Sequence, residues 1–577
     1  DNFNEKVMEI INNKIIPELS NEESSSYHGR IDAILHQIEI GFKRHKPDFG
    51  FGLLSSIVPS WVNGVDPIDT LQVEKILSHF KEDYKQNGLR IFKELLEKTL
   101  CNPHSQKFKF TMEPREDFTK QLVKDENLMI EKRVSELTED NKKAIYEQNL
   151  ELAKLQSEDQ NTEVLPTLTI DDIPKRGDFY AIDLGQVNKK VVHERVVDTN
   201  GLVYANALKD ISYLPTKLYK YLPLFNNCLT NLAGTENTPI TELETKIQML
   251  TGGITFSSKI STDPYNIEQL KLQYVLSGMA LKEKSSSVYD LWLEILTTTK
   301  FDTSDEVLEK LSVLIKNMGQ NQINNIADRG HSYAAAVSSL KLTPLKYISD
   351  IVSGLSQVQF VMELNSKLES EGKEYLAKEI IPILQEIQKY VLQGEFRYRL
   401  VGNQEIIVEN EKLIEKFDKD ISSNRPTLSL TVTDGLLALL NSFNYNHTSE
   451  NVLVNLPFQV GYSSLGKIGS SYSSKDGASL QILSQLYSFK NLHSKIRESN
   501  GAYGGGLTYD GLNGTLNFYS YRDPNPVKSI QTFRDSLLYG LDANWNDKDL
   551  QEAKLRVFQS VDAPINISSQ GASAFFE

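Results

Sequence analysis

At 577 residues the chain is too long for one ordinary core and predicts roughly three to five domains. Its 40% hydrophobic and 24% charged residues are typical of a soluble globular protein. A net charge of -15, from 62 basic and 77 acidic residues, excludes a general nucleic-acid binder, which needs a basic face. The two cysteines, Cys101 and Cys228, have no CxxC spacing, so neither a zinc ribbon nor a disulfide framework is expected, and a reducing compartment is the default. No apolar run reaches the ~18 residues of a membrane helix, so membrane insertion is not expected. The chain opens DNFNEKVMEI and stops at GASAFFE, and both ends read as cuts within a longer protein.

In chain order, IDAILHQIEIGFKRH comes first, with Ile31, Ile34, Leu35, Ile38 and Phe42 on one helical face. FKFTMEP, Phe108 to Pro114, reads as a strand that closes a domain. Arg115 to Gln160 is dense in Glu, Lys, Asp and Gln and lacks Pro and Gly. It reads as two solvated helices in a hairpin, with Thr138 capping the second.

Beyond LPTLTIDDIPKRGD the chain looks duplicated. KIQMLTGGITFSSKISTDP aligns with KIRESNGAYGGGLTYDGLNG, Lys246-Ile247 on Lys495-Ile496 and Gly252 on Gly501. Each copy then gives two strand-like runs and two helices. The plan is helix, glycine turn, strand, strand, helix, helix, and it predicts an α+β fold with helices packed on a mainly antiparallel sheet. Much of the glycine is therefore architectural. The chemistry differs between the copies: Gln248 takes the place of Arg497, and Ile254 that of Tyr503.

Motif tests narrow the chemistry. No lysine follows Gly506 as a P-loop requires, and GxGxxG is absent. HQIEI, His36 to Ile40, has His and Glu but Ile where a second zinc-binding His would stand, and HFKED, His79 to Asp83, has Asp there. His36 therefore reads as a helix-face histidine. His193 and Glu194 sit in a strand-like run that sends them to opposite faces. His104, His331 and His447 show no pairing pattern, and no GxSxG elbow or cysteine signature occurs. Arg497 and Tyr503 remain. On the last turn of a helix and at the start of a strand, their tips can meet, and a guanidinium and a phenol together can hold a peptide carbonyl or an oxyanion. The plainer reading is a helix-capping arginine and a tyrosine packed on the sheet.

RESNGAYGGG followed by NFYSYRDPNPVKSIQTF resembles the presequence protease and falcilysin branch of the pitrilysin-type zinc metallopeptidases, with a fungal flavour. KYLPLFNNCLTNLAGTENT, TGGITFSSKISTDP, SDIVSGLSQVQFV and EAKLRVFQSVDAPIN carry the same resemblance, which spans almost the whole chain. It implies repeated α+β domains in two halves, joined by a helical hairpin and closing around a chamber that degrades unfolded peptides such as mitochondrial targeting presequences.

The implied domains are 1-114 as the remainder of the second, 115-165 as the hairpin linker, 166-425 as the third and 426-577 as a truncated fourth. The zinc site, an HxxEH helix plus a later glutamate, would lie in the missing N-terminal part, so this chain would bind no zinc and be inactive alone. The implied partners are the N-terminal half of the same protease and unfolded, often basic peptides, which suit the acidic balance. The implied compartment is the mitochondrion, matrix or intermembrane space. Arg497 and Tyr503 match the family's substrate-holding pair, with Gly501, Ala502 and Gly504 as the supporting turn. Arg522 belongs to the motif and reads as structural, pairing with Asp523 or the sheet. Ser499-Asn500 departs from the family pattern. The alternative is a non-catalytic pitrilysin-like scaffold or peptide-binding subunit.

Overall fold

A computed structural model describes the chain except residues 1, 22, 24–25, 107, 109, 158–163, 233, 429–434, 445–449 and 577. His447 lies outside the described residues, as do Lys109 of the expected strand and parts of the linker and fourth-domain segments. The described residues divide into two compact units, 1–22 with 87–172, and 23–86 with 173–577.

The first unit is helical. Phe3–Ile10 runs through one π-helical turn, Ile11–Ile15, into Ile16–Leu19, and Arg90–Lys98 follows later in the chain. Ile11, Leu19 and Leu89 are its buried apolar residues. Two long helices come next, Phe118–Ser135 and Glu139–Ser157. Thr138 starts the second with a reciprocal cap: its Oγ1 accepts from Asn141 N at 3.2 Å, and its own N–H donates to Asn141 Oδ1 at 3.3 Å. The strand expected at Phe108–Pro114 does not form among the described residues. Phe108, Phe110 and Met112 are 92%, 73% and 82% exposed, and no described strand pairs with this stretch to take its backbone bonds.

The second unit carries two sheets. Its strands are β1 (Asp183–Val187), β2 (Lys190–Val196), β3 (Leu202–Asp210), β4 (Ile254–Asp263), β5 (Asn266–Leu281), β6 (Arg397–Gly402), β7 (Gly461–Ile468), β8 (Gly504–Asp510) and β9 (Thr515–Asp523). The larger sheet has the order β1-β2-β6-β3-β5-β4, antiparallel except for the parallel pair β2 and β6. The smaller is antiparallel, β7-β9-β8. The fold is α+β, as expected.

Helix Ser285–Thr298 buries Val288, Leu291, Trp292 and Ile295 at helical spacing against the larger sheet. Trp292 meets Phe417 of helix Gln404–Ser423 edge-on at 5.8 Å. The duplication is realised element for element. Helix Ile240–Leu250, β4, β5 and helices Ser285–Thr298 and Asp305–Ser339 answer to a helix ending at Glu498, β8, β9 and helices Pro526–Ser536 and Asp547–Val561. The smaller sheet closes its own core with Leu492, Ile496, Leu507, Phe518 and Phe533. Helix Asp305–Ser339 seats this sheet through Asn517 Nδ2, which donates to Ser339 Oγ at 2.6 Å.

Candidate functional site

The helix that delivers Arg497 changes pitch. Gly477–Tyr487 is α-helical, and Ser488–Glu498 winds as a π-helix, a form found mostly in short stretches at functional positions. The wide pitch persists to its end, where Ser499 N donates to Ser494 O at 2.9 Å. Two crossed bonds close the turn, Ala502 N to Ile496 O and Gly501 N to Arg497 O, both 3.1 Å. Each spans one residue more than in the usual glycine C-cap, as the wider pitch demands. Gly501 takes φ +81°, a conformation glycine adopts without strain.

Buried Asn500 fastens the turn from behind. Its side chain donates to Ser529 Oγ at 2.8 Å, and its carbonyl accepts from Asn525 Nδ2 at 3.1 Å. Asn500 thus acts as a strut behind the turn. The helix lies close on the sheet because β8 begins with glycines. A Cβ on Gly505 would stand 2.6 Å from Ile496 Cγ2 and 2.9 Å from the Tyr519 carbonyl. Ser488 Oγ, accepting from Leu507 N at 2.9 Å, joins helix and strand.

With Leu492 and Ile496 buried, Arg497 emerges at the rim. Its guanidinium carbon lies 6.0 Å from the centre of the Tyr503 ring. The guanidinium makes no ion pair or hydrogen bond among the described residues. Tyr503 is 67% exposed, and its backbone N–H is held by the carbonyls of Tyr521 and Arg522 at 3.1 and 3.3 Å. Ala502 is buried and anchors the turn, while Gly501 is exposed beside it and the space around Gly504 is open. The structure thus brings all five singled-out residues to one turn. The arrangement presents several fixed N–H donors and one phenol to solvent, a set suited to an oxygen acceptor.

Sequence reasoning missed the residues behind Tyr503. Its ring meets Tyr521 edge-on at 5.7 Å, and Tyr521 meets His331 edge-on at 4.9 Å and Tyr462 at 5.9 Å. His331 is held below the usual histidine range by burial and then by Arg329. Helix Asp305–Ser339 is kinked there, with Arg329 at φ -125° and ψ 26°. The Tyr462 hydroxyl donates to the Ala327 carbonyl beside the kink. These residues come from three separate segments, and no sequence spacing links them. Arg522, expected to pair with Asp523 or the sheet, pairs with Asp328 at 3.6 Å and lies 5.3 Å from the ring centre of Tyr521 in its own strand, while Asp523 Oδ1 accepts from Asn525 N at 2.8 Å.

Other titratable residues stand apart from this turn. His193 packs against Phe575, and Glu194 lies beside Glu411, the opposite faces expected of a strand. The Glu194 carboxyl is pushed up to about 7 by burial, then by Glu411 and Asp183. His36 is buried with the Lys284 ammonium 3.4 Å from its Nδ1, a poor setting for a metal ligand. Among the described residues no group of three or more His, Cys, Asp or Glu is arranged to hold a metal ion. No described helix is long and apolar enough to cross a membrane.

Family models match two stretches, the region associated with subfamily C of the M16 peptidases over residues 112–364 and the PreP C-terminal domain over residues 450–576. The mitochondrial presequence protease of Candida albicans is 99% identical over the whole of this chain. The chain belongs to the presequence protease family. The resemblance read from RESNGAYGGG is borne out, fungal relatives included. The mitochondrial presequence protease of Debaryomyces hansenii is 53% identical, again over the whole chain. The chain spans about half the length of these curated relatives, 56% in both cases. Their shared name places the family members in the mitochondrion, the compartment expected. Among solved structures, the peptidase M16 inactive domain from Pseudomonas fluorescens aligns with 69% of this chain and 88% of its own, at 14% identity and a TM-score of 0.43.

Proposed function

We propose that this chain is the substrate-binding, C-terminal part of a zinc metalloendopeptidase that degrades unfolded peptides such as cleaved mitochondrial presequences. Under this reading residues 1–114 complete a second domain, 115–165 are the hairpin linker, 166–425 the third domain and 426–577 the fourth. The zinc would be bound by the part of the polypeptide outside these 577 residues, and this chain would be inactive alone. The observation that carries the reading is the Arg497–Tyr503 pair, present in one copy of the repeat and exposed on a turn braced from three sides.

The chemistry of this chain is then positioning. The guanidinium and the phenol donate to a backbone carbonyl of an extended peptide, and more strongly to the oxygen as it gains charge during cleavage. Cation–π attraction to Tyr503 aims the guanidinium without consuming its N–H donors. Gly501 and Gly504 keep the approach clear of side chains, and buried Ala502 fixes the turn.

The test is reconstitution. A basic presequence peptide is incubated with this chain, with the metal-loaded upstream part, and with both. Cleavage only in the mixture, lost with Arg497→Ala, is expected. No cleavage by a verified, metal-loaded assembly would favour a scaffold, and cleavage by this chain alone would place a catalytic site within it.

A further inference from the structure

Residues 23–86 lie in sequence between the two stretches of the first unit, 1–22 and 87–172, yet they belong to the second. Within that unit, helix Tyr27–Lys43 docks on the end of helix Ile240–Leu250. Gly29, Ala33, Gln37 and Ile40 share the docking face at helical spacing. A Cβ on Gly29 would sit 3.6 Å from Thr245 Cγ2. Ile40, 3% exposed, packs with Met279, Leu202 and Leu281, and its Cγ2 would lie 3.1 Å from a Cβ on Gly252.

The polar contacts are specific. The last carbonyls of a helix have no partner within it. Here Gln37 Nε2 donates to the carbonyls of Gln248 and Thr251 at 2.6 and 2.7 Å, and Lys284 Nζ to that of Met249 at 2.6 Å. Gln248 and Gly252 are the counterparts of Arg497 and Gly501. In the second copy the corresponding turn is fastened from within its own fold, by Asn525 on Asn500, and its outer side stays open at Tyr503. The two copies therefore end the same helix in opposite ways. One is capped by a segment more than 200 residues away in sequence, the other is self-capped.

We infer that helix 27–43 is a clasp, which holds the polypeptide before the linker to the polypeptide after it by capping the third-domain helix Ile240–Leu250. The linker is then not the only tie between them. An intact linker would be dispensable for association, and the clasp would supply a contact that two separately made pieces need to find each other.

The test places a specific protease site between Pro166 and Thr167, both exposed. After cleavage the two pieces should co-elute as one species in size-exclusion chromatography. Gln37→Ala with Ile40→Asp should separate them, and Gln37→Glu, which loses the two N–H donors and keeps the shape, should raise the apparent dissociation constant at least about tenfold. Separation of the cut wild-type pieces, or co-elution of the double variant at the wild-type concentration dependence, would overturn the clasp.

A second readout does not depend on tolerance of a buried aspartate. Gly29→Cys with Thr245→Cys, in a background where Cys101 is serine, should form a disulfide that keeps the cut pieces in one band under non-reducing electrophoresis. Failure to form it under oxidation would remove the docking itself.

Discussion

The Arg497 guanidinium lies 6.0 Å from the ring centre of Tyr503, and the two residues are fastened to opposite sides of one glycine turn. Arginine reaches the place from a π-helical end, tyrosine from the head of an edge strand. Neither can move without the turn, so whatever disturbs the turn should be felt by both.

The closeness of helix and strand gives the first prediction. Gly505→Ala puts a methyl against Ile496 and a backbone carbonyl that cannot yield. It should destabilise by about 1–3 kcal/mol, the usual range for overpacking. Gly504→Ala meets open space and should fall within about 0.5 kcal/mol of the parent. Denaturant midpoints of the two variants separate a steric requirement from a general intolerance of alanine in β8.

The aromatic support gives the second. Tyr521 stands between Tyr503 and His331, edge-on to both. Tyr521→Phe keeps the ring and should leave peptide turnover by the full-length protein within about twofold. Tyr521→Leu removes an aromatic pair worth roughly 0.5–1.5 kcal/mol and should lower kcat/KM roughly 3- to 10-fold. Rescue by phenylalanine, with unchanged melting temperature, would mark Tyr521 as a positioning residue. Equal loss in both variants would assign the effect to its hydroxyl.

Much of this was readable in the residues. The repeat, the α+β class and the helix–turn–strand that carries Arg497 and Tyr503 are local patterns, set by glycine placement and apolar period. What escaped was tertiary. Phe108, Phe110 and Met112 alternate like a strand but pair with no described strand. The π pitch of Ser488–Glu498 leaves no mark in the apolar period. Arg522 sits beside Asp523 in sequence but pairs with Asp328, because the helix that carries Asp328 reaches its strand. Tyr462, Tyr521 and His331 gather from three segments that only folding brings together.

The Glu194 carboxyl gives a prediction of pH dependence. Its folded value, about 7, stands above the ordinary 4.5 through burial and the neighbouring Glu411. A group raised in this way contributes stability that is full below 4.5 and is lost as pH rises through about 7. Glu194→Gln should therefore melt higher than the parent at pH 8.5 and converge with it below pH 4.5. Thermal melts across that range check the sign, and a variant less stable at high pH would contradict it.

The most direct test of the account is kcat/KM for a basic presequence peptide in the full-length protein with Arg497→Ala. The substitution should cost on the order of 10²–10³-fold, that of a removed oxyanion donor, with metal content and melting temperature unchanged. Tyr503→Phe should give a smaller loss, about tenfold, for one hydrogen bond. Cleavage by Arg497→Ala at the parent rate would contradict the role assigned to this turn.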